Sequence, residues 1–177
     1  LGLLGVKVHL RFVRNIPVSK IAQLGSSSLN ILREASLADV GDLLRNRFGT
    51  PYLPSFPLGF EGTLTFLSQV GDALNTGSEQ AISMELARQK GIIDQFSELR
   101  GRTVNICHSD HMLDPHSDHM LDPHSDHMLD PFLSEVLELF DLQVKEQGPP
   151  LTLPNPIPVG TSGLSRMLSR WQRVLHA

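Results

Sequence analysis

Histidine and aspartate side chains that could ligate a metal ion recur at fixed spacing in the middle of the chain. Three identical octapeptides, His-Ser-Asp-His-Met-Leu-Asp-Pro, occupy residues 108–115, 116–123 and 124–131. Each copy holds two histidines three residues apart and two aspartates, a ligand set suited to zinc, nickel or copper. The candidate metal ligands are the six histidines of the repeat: His108, His111, His116, His119, His124 and His127.

The same repeat has a simpler interpretation as a tandem expansion within a surface loop. Proline in every eighth position prevents a continuous helix, and nothing in the pattern fixes a closed tetrahedral ligand geometry. An insertion of about 16 residues in a surface loop costs little closure entropy, so a fold tolerates it. We favour the expanded loop over the metal site.

The rest of the sequence lacks the motifs of common catalytic sites. It has no Gly-x-Ser-x-Gly elbow, no Walker loop and no dinucleotide-binding Gly-x-Gly-x-x-Gly. The one cysteine, Cys107, excludes an internal disulfide framework and a thiolate zinc site, and it indicates an intracellular, reducing compartment. We therefore expect no catalytic residues and no cofactor, and we predict that the chain is not an enzyme.

Composition and charge narrow the class of protein further. The chain has 177 residues, 40% of them hydrophobic, which is enough to bury a core. Its apolar runs are too short for a membrane-spanning helix, so no membrane association is expected. A formal net charge of −4 argues against a general nucleic-acid surface, and any contact with DNA is expected to be indirect.

Periodicity predicts an α+β fold, a small mixed sheet with packed helices. The segment from Val6 to Phe12 alternates apolar and polar residues as a half-buried strand does; its basic, acid-free surroundings are also typical of a mitochondrial transit peptide. Further predicted elements are helices over 36–48 and 78–99 and strands over 63–67 and 103–107. The predicted domains are an α+β domain (1–107), the repeat loop (108–131), a helix (132–148), a proline-rich linker (149–160) and a C-terminal helix (161–177).

The C-terminal helix carries the clearest binding signal in the sequence. Its apolar stripe has helical spacing and contains the chain's one tryptophan: Leu164, Met167, Leu168, Trp171 and Leu175. An uncharged proline-rich segment in front is expected to detach this helix, as in ligands that bind a groove of a protein partner. Two alternatives are that the helix docks on its own domain and that it binds an acidic membrane surface.

The segment over 164–175, Leu-Ser-Arg-Met-Leu-Ser-Arg-Trp-Gln-Arg-Val-Leu, resembles the terminal helix of the meiotic topoisomerase VI B-like family. That resemblance implies a nuclear, non-catalytic component of the complex that forms meiotic DNA breaks, with a transducer-like upstream region. It implies a pleckstrin-homology-type partner for the helix, with Leu168, Trp171 and Leu175 as anchors, and a DNA-cleaving A-type subunit as a second partner.

Three hypotheses of function follow from the sequence. The first is a scaffold or interaction subunit that recruits a protein partner through the C-terminal helix. The second is a metal-binding protein that uses the His/Asp repeat. The third is a fragment of a larger enzyme whose active site lies upstream of this segment.

Deletion of residues 116–131 tests the interpretation of the repeat. Because the deletion shortens a surface loop and leaves Pro115 in front of Phe132, the free energy of unfolding should change by less than about 1 kcal/mol. Urea unfolding followed by circular dichroism measures this, and loss of cooperative unfolding in the deletion variant would contradict the loop.

Overall fold

The computed structural model describes residues 2–11, 17–108, 131–154 and 157–176. Within them the α-helices are α1 (Val18–Ile21), α2 (Ala38–Phe48), α3 (Gly59–Ala73), α4 (Glu79–Gln95), α5 (Pro131–Leu139) and α6 (Gly160–Leu175). The strands are β1 (Asn30–Ile31), β2 (Tyr52–Leu53), β3 (Thr103–His108), β4 (Gln143–Val144) and β5 (Pro150–Leu153). The predicted α+β class is confirmed, although all pairs among these strands are parallel and the sheets are not mixed.

The chain divides into two compact units, which differ from the predicted domains. The first unit comprises Leu1–Pro57 and Gly62–Ala87, and the second comprises Leu58–Glu61 and Arg88–Ala177. The division falls inside the predicted domain over 1–107, and it places β3 in the same unit as α5 and α6.

The first unit contains α2 and the two-stranded parallel sheet β1-β2. Its core contains Leu53, Leu67 and Val70, while Val6 packs only partly buried against them. The expected strand from Val6 is wrong for residues 6–11, which have no strand conformation, and Phe12 lies outside the described residues.

Helix α2 has the predicted C-terminal end but buries a different face. Gly49 adopts φ 70° and its N–H bonds to the carbonyl of Arg45, the left-handed end that glycine allows. The buried residue within the helix is Gly41, where an added Cβ would lie 2.7 Å from the ring of Tyr52. Hydrophobic spacing over 36–48 predicts an apolar face of Leu37, Val40, Leu43, Leu44 and Phe48. Of these five, Leu44 is half-buried and the other four are exposed.

Residues 63–67, predicted as a strand, lie in the middle of α3. Its buried positions include Thr63, Leu67 and Val70, at i, i+4 and i+7. The β-branched and aromatic composition favoured a strand, but the helical spacing of these three residues decides the structure. The helix ends at Ala73, and a left-handed cap follows it: Asn75 adopts φ 51°, and the Thr76 N–H donates to the carbonyl of Gly71 at 2.8 Å.

Helix α4 confirms the helix predicted over 78–99, but most of its buried positions lie one residue before the predicted ones. Hydrophobic spacing over 78–99 predicts a face of Ile82, Leu86, Ile93 and Phe96. Phe96 is buried as predicted, Ile82 and Ile93 are half-buried and Leu86 is exposed, whereas the buried positions within the helix include Ala81, Glu85 and Gln89. Because Glu85 and Gln89 on the buried side are polar, the hydrophobic pattern could not identify this face.

The second unit is built around a three-stranded parallel sheet in the order β4-β3-β5. Helix α5 is shorter than the predicted helix over 132–148 because Asp141 adopts φ 47°. The N–H of Leu142 bonds to the carbonyl of Leu137 at 2.9 Å, a left-handed cap that stops the helix and directs the chain into β4.

The expectation that the C-terminal helix is detached from the folded chain is wrong. The predicted linker over 149–160 contains β5, which pairs with β3. The apolar stripe of α6 lies in the core of the second unit: Leu164, Met167, Leu168 and Trp171 are buried, and Leu175 packs partly buried against them. Hydrophobic burial of this stripe within its own unit accounts for its spacing.

Among the described residues, no helix combines the length and the apolar character needed to cross a bilayer.

Replacement of Trp171 tests the position of α6 directly. Trp171→Ala should lower the free energy of unfolding by about 3–5 kcal/mol, because it empties a core aromatic site. Val174→Ala is the matched control on the same helix. Because the Val174 side chain is exposed, this substitution should change the free energy of unfolding by no more than about 0.5 kcal/mol. Equal, small effects of the two variants in urea titrations would show that α6 does not pack on its own unit.

Candidate functional site

The carboxyl end of β3 is the position in this fold where a ligand site is expected. The next strand in the chain, β4, lies on one edge of β3, and the following strand, β5, lies on the other. In open parallel sheets ligands bind outside the carboxyl ends of the strands where the strand order reverses in this way. The last residues of β3 are Cys107 and His108, and His108 begins the repeat.

One face of this sheet is buried and the other is not. Val104 and Ile106 of β3 and Leu151 and Leu153 of β5 are core residues. The alternate positions, Thr103, Asn105, Cys107 and Thr152, are exposed or half-buried. Since parallel sheets are usually covered on both faces, this second face is unusual.

The segment from Lys145 to Pro149 crosses the backbone of β3 on its way from β4 to β5. At Gly148 an added Cβ would lie 2.5 Å from the carbonyl carbon of Val104, so the crossing needs glycine. The Asn105 side-chain amide donates to the carbonyl of Glu146 at 3.1 Å, and the Asn105 N–H donates to the carbonyl of Pro149 at 3.0 Å. These bonds hold the crossing segment against the sheet.

Trp171 fixes the carboxyl end of β5 beside Cys107. Its indole N–H donates to the carbonyl of Thr152 at 3.1 Å, and Thr152 pairs with Cys107 in the sheet register. The indole thereby satisfies its one donor inside the core. The half-buried Cys107 is a free thiol, so this edge offers one sulfur ligand or nucleophile on a firmly held strand.

A second polar cluster lies where the carboxylate of Glu135 meets the N-terminus of α3. The N–H groups of Phe60 and Glu61 donate to Glu135 Oε1 at 3.0 and 2.8 Å. Partial burial raises the pKa of Glu135, and the two backbone hydrogen bonds oppose that rise. The carboxylate occupies the electropositive helix end that would otherwise attract an anion.

Gly59 makes room for this carboxylate. It adopts φ 68°, and a Cβ on it would overlap Glu135 Oε2. Nearby, the buried Gln89 donates through its side-chain amide to the carbonyl of Phe60 at 3.0 Å. The cluster therefore ties the first turn of α3 to α4 and α5 by hydrogen bonds, and its role is structural.

The residues predicted as sites are not brought together into one site. Four of the five apolar residues of α6 are core residues and Leu175 packs partly buried against them, so binding of a partner through this stripe would require the helix to leave the core. His108 ends β3, whereas His111, His116, His119, His124 and His127 lie outside the described residues. Within the described ranges no group of three or more His, Cys, Asp or Glu side chains could hold a metal ion.

Sequence reasoning missed Glu135 and Gln89. Both are polar residues at positions that the helical pattern makes buried or half-buried, and this mismatch was the available signal. Their partner is the N-terminal turn of α3, which the sequence had placed next to a strand. No pattern within either helix could indicate that contact.

Comparison with known proteins identifies the family of the chain from its first 121 residues. The family model for nitrogenase component 1 type oxidoreductase matches residues 1–121, just over two thirds of the chain. The chain therefore belongs to the nitrogenase component 1 type oxidoreductase family. No curated protein matches the chain closely enough to be counted as a relative.

This family membership corrects the resemblance to the topoisomerase VI B-like family. The resemblance rested mainly on one amphipathic helix that contains a tryptophan, and an apolar stripe of this kind is common to helices packed on a core. The implied role in meiotic DNA breaks falls with it, as does the scaffold function built on that role. The DNA-cleaving partner and the nuclear location had no other support.

Substitution of Gly59 tests the Glu135 cluster. Gly59→Ala should lower the free energy of unfolding by about 1–3 kcal/mol, because it adds left-handed strain and displaces the half-buried carboxylate of Glu135 from its two N–H partners. Gly62→Ala in the same helix is the control, since nothing lies within 4 Å of its added Cβ. The control should leave stability unchanged or raise it by up to about 1 kcal/mol. Equal melting temperatures for both variants would contradict the assigned contact.

Proposed function

We propose that this chain is a framework part of an oxidoreductase of the nitrogenase component 1 type, and that it is not catalytic by itself. Exposed residues on the second face of the parallel sheet carry this proposal: in the part of the second unit that the structure describes, Thr103 and Thr152 are exposed on this face. A sheet of this kind is normally buried on both faces, so a further part of the oxidoreductase is expected to cover Thr103 and Thr152.

The donor set of the chain supports the same role. An oxidoreductase of the nitrogenase type implies a metal cluster, and protein-bound iron–sulfur clusters are held mainly by several cysteine thiolates. This chain has one cysteine, which is too few to hold such a cluster alone. We propose that the redox group is held by residues outside this chain.

The chain's own contribution is a rigid edge. The Trp171 indole bonded to Thr152 and the Asn105 amide bonded to Glu146 hold both sides of β3 in place. Cys107 is the one thiolate that the chain can offer there. A free thiol at this position fits a reducing compartment, which we propose as the setting in which the chain works.

Anaerobic reconstitution with ferrous iron and sulfide tests this proposal. After desalting, the chain should retain less than about one acid-labile sulfide, because it lacks the usual four-thiolate ligand set. Sulfide is the decisive readout, since iron alone can also bind to the histidine repeat. The variant lacking residues 116–131 serves as the control for iron that binds to the repeat.

Two or more labile sulfides per chain, lost on Cys107→Ser, would contradict the framework role. Such a result would show that the chain holds a cluster through Cys107. Equal, substoichiometric sulfide in the wild type and in Cys107→Ser is the result that the proposal predicts.

A further inference from the structure

The outer face of α2 in the first unit exposes apolar side chains that the helix does not use for its own packing. Leu43 is 62% exposed and Val40 is 47% exposed. The helix packs through Gly41 on the ring of Tyr52, on another side. A single exposed leucine needs no explanation, but these two residues lie three apart on one helix face.

Charged residues of opposite sign lie at equal distances in sequence on either side of Leu43. Asp39 lies four residues before Leu43 and Arg47 lies four residues after it, so the three side chains follow one another along the same face. Both charged residues are exposed. We call Asp39, Val40, Leu43 and Arg47 the Leu43 face.

The neighbouring charges of α2 are engaged within the unit. Asp42 accepts hydrogen bonds from Arg45 at 2.7 Å and from the hydroxyl of Tyr52 at 3.0 Å. Arg45 also lies over the Tyr52 ring, 5.5 Å from its centroid. The outer face of the helix presents the charges of Asp39 and Arg47. The Arg47 guanidinium also lies over the ring of the neighbouring Phe48, 5.6 Å from its centroid, and it stays exposed there.

We propose that the Leu43 face binds the same face of a second copy of this chain about a two-fold axis. In an antiparallel pair of α2 helices, Leu43 of the two copies meet on the axis. Asp39 of each copy then lies opposite Arg47 of the other, and both ion pairs form at once. A parallel pair would place like charges together, so the charge order selects the antiparallel arrangement.

The predicted dimer is weak and exchanges rapidly. One helix face buries less than the roughly 1,200–2,000 Å² of a stable interface. Its affinity is expected to fall as salt rises, because the flanking ion pairs are exposed. This inference is independent of the proposed redox role, since it concerns the surface of the first unit alone.

Sedimentation velocity of the full chain, from about 1 to about 200 µM at low salt, tests the proposal. The wild type should shift from monomer to dimer with concentration, and Leu43→Asp should weaken the dimer at least about tenfold. Leu86→Asp on α4 is the matched control, because Leu86 is an exposed leucine of the same unit. A wild type that stays monomeric, or a dimer that Leu43→Asp leaves unchanged, overturns the proposal.

Charge exchange provides an independent test that only a two-fold contact passes. Asp39→Arg alone and Arg47→Asp alone should each weaken the dimer about tenfold. Mixing these two variants should restore dimers, because the arginine introduced in one chain then faces the aspartate introduced in the other, and the native Arg47 faces the native Asp39. The double variant should also recover, to within about threefold of the wild type. Thermal melts confirm that each variant folds, and failure of both rescues overturns the proposal.

Discussion

The passage of the chain across the backbone of β3 is the constraint on which the second unit depends. Between β4 and β5 the segment from Lys145 to Pro149 crosses from one edge of β3 to the other, and Gly148 touches the backbone of Val104. This crossing makes β3 the central strand, paired on both edges. Any larger residue at 148 would push the segment away and separate β5 from the sheet.

The rest of the unit is arranged around this central strand. With β5 held beside β3, Thr152 presents its carbonyl to the indole of Trp171, and α6 covers the buried face of the sheet. Glu135 on α5 holds the N-terminus of α3. Four of the five side chains that resembled a binding motif are thus core residues of this unit, and the fifth, Leu175, packs against them.

The sequence predicted the elements better than it predicted their environment. Strand β3, the end of α2 at Gly49 and the existence of α4 and α6 follow from local patterns, because they depend on residues near in sequence. The interior of α3 was mistaken for a strand since its composition suits both conformations. The early end of α5 depends on the left-handed conformation of Asp141. Aspartate adopts this conformation only occasionally, so its presence in the sequence does not predict the end of a helix.

The function was harder to predict for a different physical reason. An amphipathic stripe records that a helix buries one face, but it does not record whether the buried surface belongs to its own unit or to a partner. The contact of Glu135 with α3 joins residues about 75 positions apart, and the pairing of β3 with β5 joins residues 45 apart. Because such contacts leave no periodic signal, the spacing of residues in the sequence could indicate neither the second face of the sheet, with its exposed Thr103 and Thr152, nor the family.

Native-state hydrogen exchange at increasing urea is the most direct measurement of the central claim, that β3 and α6 form one cooperative unit. The account predicts that the amides of Val104, Asn105 and Ile106 and those of α6 around Leu168 converge on one opening free energy. Exchange of the α6 amides at a clearly lower free energy, with β3 still protected, would contradict it. That result would mean that the helix leaves the core while the sheet stays folded.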